Sequence, residues 1–222
     1  MPPLPKPSPI TQVRAQAQLE AMGIPREFLQ AAADEAWRAV SRCTENDVKS
    51  MRGFLAWGVT IRFLRDRLCP LGWSIGRDQN FETVISPDGT VAITAAAGNS
   101  NTGDPTRMPS TRTERGPQTK LVVAANHQLS LYDELRRKVG GAETETWFLL
   151  SYHDPIGEEI RLELSRGITF TPASNGNHGI VSQFEPRVLL EAIDVSDGAI
   201  EDSATYQPAD EQIYVPVSRR AG

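Results

Sequence analysis

The clearest pattern in the chain lies between residues 45 and 68. Phe54, Trp57, Ile61, Leu64 and Leu68 recur at steps of three and four, and Val48, Met51, Leu55, Val59 and Phe63 form a second stripe beside them. Two adjacent apolar stripes predict a helix buried over a wide arc. Its remaining face holds Lys49, Arg52, Arg62, Arg65 and Arg67, with Asp66 placed to pair Arg62 one turn away. Pro70 and Gly72 end it. Two helices are predicted upstream, over 11–22 and 25–42. Gly23 stops the first and Pro25 opens the second as an N1 proline. Phe28, Leu29, Ala32, Ala36, Trp37 and Val40 keep helical spacing in the second. Thr44 and Asp47 resemble a capping box ahead of the third helix.

Beyond Trp73 the period changes to alternation. Strands are expected over 80–86 and 90–97, joined through Ser86-Pro87-Asp88-Gly89, a type I turn sequence. Residues 98–117 have no apolar period. Residues 118–138 return to helical spacing, with Val122, Ala125, Leu129, Tyr132 and Leu135 on one side and Gly140-Gly141 as the stop. The run Trp147-Phe148-Leu149-Leu150 within 144–153 reads as a central strand buried on both faces. Residues 159–165 alternate, which points Ile160, Leu162 and Leu164 inward and Glu159, Arg161 and Glu163 outward. Weaker strands are expected over 168–171, 179–184 and 187–193, and a short one over 212–217. The pattern predicts an α+β fold: an N-terminal helical bundle packed with a mainly antiparallel sheet and one further helix. Its divisions are a Pro-rich arm (1–10), a helical subdomain (11–70), a sheet domain (71–195) and an acidic tail (196–222).

Composition adds limits. The 222 residues carry a net charge of −5, split as +3 over residues 1–70 and −8 over the remainder. That balance argues against a general nucleic-acid coat, whose affinity comes from neutralising phosphates. No apolar run approaches the length of a membrane span. The first nine residues hold five prolines and no apolar core of a secretory signal. Cys43 and Cys69 lie in helical contexts and read as buried thiols rather than a disulfide. A cytoplasmic protein is expected.

The strongest candidate for chemistry is the polar stretch 98–117 leading into the helix after it. A helix N-terminus offers unpaired N–H groups and partial positive charge to an anion. Arg107, Ser110, Thr111, Arg112, Thr113, Arg115, Thr119 and Lys120 approach that terminus and could hold a phosphate through charge and hydroxyl groups. No phosphate-binding Gly-x-x-x-x-Gly-Lys-Ser/Thr loop is present. On loop statistics the plainer reading, a flexible solvated loop, is favoured. Arg52, Arg62 and Arg65, with Trp57 near in sequence, could contact a nucleic-acid backbone, although such a charge run is more often a solvent face. Trp57 itself reads as core. His153-Asp154 and His178 could converge on a metal, but spacing favours ordinary histidines. Asp88, Glu114 and Lys120 faintly resemble a metal-dependent nuclease cluster, while Asp88 is explained by its turn. No catalytic residues, metal site or cofactor are assigned.

Asn80-Phe81, Ser86-Pro87-Asp88-Gly89, Pro109-Ser110-Thr111, Gly116-Pro117-x-Thr119, Trp147-Phe148-Leu149-Leu150 and Glu163-Leu164-Ser165 together resemble a family of uncharacterised bacterial proteins over about residues 55–195. The resemblance implies a bacterial origin and no particular activity. Two classes of function stay open. The leading one is a non-catalytic binding protein that recognises a protein partner or an anionic, phosphate-bearing ligand through the 98–117 loop. A version of it is an accessory protein of a mobile element or phage acting on a nucleic-acid-processing complex, its acidic surface imitating DNA. The alternative is a metal-dependent phosphoester enzyme using the same loop, with Asp88 or Glu114 holding the metal.

Overall fold

A computed structural model describes residues 9–131, 144–154, 156, 158–174 and 176–196. Residues 1–8 of the expected 1–10 arm, the end of the helix carrying Tyr132 and Leu135, and residues 197–222 of the expected acidic tail, with its strand at 212–217, lie outside these residues; the last two residues of the expected arm, Pro9 and Ile10, are instead the start of a helix. The described residues form an α+β fold, with four α-helices and a mainly antiparallel sheet of seven strands. Three helices come first: α1 (Pro9–Ala21), α2 (Arg26–Ser41) and α3 (Met51–Leu68), followed by a 3-10 turn at Cys69–Leu71. Gly23 takes φ +68° between α1 and α2, and Gly72 takes φ +90° after the 3-10 turn. Only glycine adopts these values without strain. The third helix begins at Met51, six residues later than its spacing predicts. Thr44 and Asp47 do bond, the Thr44 N–H donating to Asp47 Oδ2 at 2.7 Å. Their pairing closes a separate turn instead of capping the helix.

The sheet runs in the order β1 (Ser74–Asp78), β2 (Phe81–Ile85), β3 (Val91–Ala97), β4 (Glu145–Asp154), β5 (Glu159–Pro172) and β6 (Gly179–Leu189), with β7 (Ile193–Asp194) beside β5. The β2–β3 hairpin forms at the Ser86–Gly89 turn as expected. Asp88 holds that turn by accepting from the Ser86 hydroxyl and from both the N–H and hydroxyl of Thr90. These bonds, the Ser86 hydroxyl first, keep its carboxyl below the usual range. Strand β1 was not foreseen. It pairs with β2 through a two-residue turn in which Gln79 (φ 47°) and Asn80 (φ 64°) are both left-handed, the geometry that two-residue hairpins favour. Sequence reading also split β5 and β6 into pieces. Both are continuous, and their register shifts around Gly167, as a bulge allows. A Cβ on Gly167 would come within 2.9 Å of Val181 and 3.1 Å of Phe148.

Strand β3 pairs parallel with β4, and α4 (Pro117–Leu131) lies on the connection between them. Successive strand side chains point to opposite faces, so β4 separates two cores. Trp147 and Leu149 join Leu19, Leu29, Ala32, Leu64 and Leu68 from α1–α3, whereas Phe148 and Leu150 join Val123 of α4 with Val181 and Phe184. The helices α1–α3 and the helix α4 therefore cover opposite faces of the sheet. The apolar residues of the first three helices and of the strands form one cluster. On α4 the buried face holds Val123, Asn126 and Leu129, while Ala125 is exposed. Asn126 turns inward because its amide donates to the Thr146 and Gly167 carbonyls and its Oδ1 accepts from the Thr146 N–H. A buried amide satisfied on both sides costs little.

Candidate functional site

Residues 98–116 reach across the second face instead of standing in solvent. The Arg112 N–H donates to the Ala97 carbonyl at the end of β3, and the Thr111 N–H donates to the Val181 carbonyl of β6. Arg115 and Gly179 exchange both backbone bonds. Because β4 and β5 stand between β3 and β6 in the sheet, this segment closes the curled sheet upon itself. A Cβ on Gly179 would lie 2.2 Å from the Thr171 carbonyl oxygen, so only glycine fits beside the seam.

Earlier in the loop, Asn99 makes an Asx-type turn: its Oδ1 accepts from the Asn101 and Ser110 N–H groups. The Asp104 carboxylate accepts from the Thr106 N–H and hydroxyl. Burial raises the Asp104 pKa, but those hydrogen bonds and the Arg107 charge outweigh it and leave the carboxyl below its usual range. The loop is tied down by buried charge on β5. Glu163, fully buried, accepts from the Gly103 N–H at 3.0 Å, from the Ser165 hydroxyl, and from Arg187 at 2.5 Å. Arg187 in turn donates to the Asp104 and Arg107 carbonyls. Arg161 is 3% exposed, pairs with Asp154 and Glu159, and donates to the Ser100 carbonyl. The outward assignment of Arg161 and Glu163 is thus overturned. Alternation located their face correctly, but the loop buries it.

The expected site residues divide accordingly. Thr111 is buried, its hydroxyl accepting from the Val181 N–H. Ser110 is bound to Asn99 through its N–H, carbonyl and hydroxyl. Arg107 and Arg112 are exposed, and the Lys120 ammonium donates to the Gly176 carbonyl at 3.4 Å. Arg115 and Thr119 are brought together in a cleft of about 360 Å³ at the start of α4, lined also by Trp57, Asn80, Phe81 and His178. Sequence reading missed this cleft because Trp57, Asn80 and His178 come from three distant segments. Trp57, read as core, is half-buried and faces this space, with Phe54 packed edge-on against it.

Arg115 is the notable charge in the cleft. It is half-buried, and loss of water lowers its pKa below the ordinary arginine value. Its guanidinium donates to the Ala95 carbonyl at 3.3 Å, and no acid pairs with it among the described residues. Glu114 lies at the exposed rim. No family model, curated protein or solved structure matches the chain. The resemblance to bacterial proteins therefore rests on its short motifs alone.

The other candidates separate. Arg65 does not face solvent: it donates to the Gly76 and Thr83 carbonyls and to Glu82, pinning the β1–β2 hairpin onto α3. Arg52 donates to the Cys43 carbonyl and is exposed, as Arg62 is, so Arg65 does not join the other two at the surface. The expected pairing of Asp66 with Arg62 is absent. His153 stacks on Trp37 with ring centroids 4.0 Å apart. Desolvation lowers its pKa against the opposing charge of Asp154. No group of three acids, histidines or cysteines able to hold a metal occurs among the described residues, and none of their helices is long and apolar enough to cross a membrane.

Proposed function

We propose that the protein is a non-catalytic binding protein that takes a small anionic ligand, phosphate- or carboxylate-bearing, in the cleft at the start of α4. The observation that carries this reading is Arg115, a partly desolvated cation with no acid partner among the described residues, opening into that cleft. A cation held away from water without a counter-charge is costly, and an arriving anion offsets that cost. The first turn of α4 adds partial positive charge at the same place. Trp57 supplies an apolar wall, as ligand sites commonly have. The expected 98–117 contact narrows to its last residues, because 98–112 is engaged with the sheet.

Calorimetric titration with inorganic phosphate and with a nucleoside monophosphate tests the reading. The wild-type chain should bind at least one of them, and Arg115→Gln should lose roughly tenfold or more in affinity, as for a charged hydrogen bond. Arg112→Ala should bind like the wild type, since Arg112 lies outside the cleft. Equal binding by Arg115→Gln, or no binding of either anion, would remove the proposal.

A further inference from the structure

The cleft at the start of α4 holds chemistry that a bare anion does not use. Arg115 and the first residues of α4 form one part of its lining, and Trp57, Gln79, Asn80 and Phe81 form most of the rest. Trp57 is half-buried, with Phe54 edge-on to it at a centroid distance of 6.3 Å. An indole left partly open at a cleft wall is a platform for another planar ring. Beside it the β1–β2 turn presents two carboxamides. Gln79 and Asn80 are exposed, and their side chains bond no other described residue. Gln79 holds φ 47°, a left-handed value that two-residue turns normally give to asparagine, aspartate or glycine. The longer side chain strains the turn and places a donor and an acceptor at the cleft.

We propose that the ligand of this cleft is a mononucleotide, its phosphate on Arg115, its base stacked on Trp57 and its base edge bonded by Gln79. The proposal rests on the anion reading above and adds the ring to it. A base edge carries both donors and acceptors, as the carboxamide does; a plain aromatic carboxylate would leave Gln79 and Asn80 unused. Charge limits the ligand to one phosphate. Among the described residues Arg115 is the lining's one arginine or lysine, and Glu114 its one carboxylate. A second or third phosphate would meet no further cation of that kind and would be repelled by Glu114. The volume of about 360 Å³ is at the small end of ligand pockets, suited to a single nucleotide rather than a chain.

Calorimetric titration of the full chain with the common nucleoside monophosphates, with ribose phosphate, and with the triphosphate of the tightest-binding nucleoside is the test. The tightest monophosphate should bind roughly tenfold or more above ribose phosphate, as stacking of one base provides. Trp57→Leu should erase that margin without changing ribose phosphate binding, and Trp57→Phe, which keeps a ring, should retain most of it. Gln79→Gly relaxes the turn, so it should melt no lower than wild type yet weaken the monophosphate by about fivefold. The triphosphate should bind more weakly than the monophosphate. Equal affinity for monophosphate and ribose phosphate, or a margin that survives both Trp57→Leu and Gln79→Gly, overturns the proposal and leaves the anion reading standing. A tighter triphosphate overturns the limit to one phosphate. No binding of any of these compounds removes both readings.

Discussion

The 98–116 loop and the first half of α3 exchange the roles their sequences assign them. The loop is polar, aperiodic and rich in turn formers, yet it is stitched between β3 and β6 and held by Glu163 and Arg187. The first half of α3 belongs to the most regular apolar pattern in the chain, yet Phe54 stands in solvent. Periodicity tells which residues share a face, and only the partner decides whether that face is covered. On α3 the sheet and α2 reach the second half, where Leu64 is fully buried, and stop short of the first.

The sharpest way to break this contrast is at Glu163. Glu163→Ala leaves the half-buried Arg187 without its counter-charge and frees the Gly103 N–H. It should cost about 3–5 kcal/mol in urea unfolding, as for a broken buried pair. A loss below about 1 kcal/mol, typical of an exposed pair, would mean that the loop is not anchored there. Within α3 itself the two halves should separate. Leu64→Ala should cost about 2–5 kcal/mol as a core truncation, whereas Phe54→Ala in dilute solution should stay within about 0.5 kcal/mol of wild type. Equal losses would put Phe54 in the core after all.

A smaller effect concerns the stacked pair Trp37–His153. The His153 pKa is lowered in the folded chain, so the folded state binds fewer protons than the unfolded one below the ordinary imidazole value of 6.5. Stability from this residue is full above that pH and declines as pH falls toward the lowered value. The urea midpoint should drop between neutral and mildly acidic pH, and His153→Phe should flatten that slope. An unchanged slope in the variant would assign the pH dependence elsewhere.

Much of the architecture was legible because local chemistry and tertiary role agreed. Gly23 and Pro25 divide α1 from α2, Ser86–Gly89 turns the hairpin, and the unbroken Trp147–Leu150 run sits at the centre of the sheet. Strand β1 was hidden because Ser74–Asp78 is mostly exposed and lacks the alternation that marks a half-buried strand. The network of two cations and three acids under the loop was hidden because alternating charges on β5 look the same whether water or a loop faces them. The candidate site was half visible. Arg115 and Thr119 stood out beside a helix start, but Trp57 and His178 join them only through the fold, and Ser110 and Thr111 turned out to be bonded to the chain itself.

The contrast rests on the loop being a fixed part of the sheet, and amide hydrogen exchange tests that most directly. The Gly103, Thr111, Arg112 and Arg115 N–H groups donate to Glu163 and to the β6 and β3 carbonyls. They should exchange as slowly as the N–H groups of Phe148 and Leu150 in the central strand β4. Exchange at the rate of an unstructured peptide, with those β4 amides protected, would show a solvated loop and contradict the account.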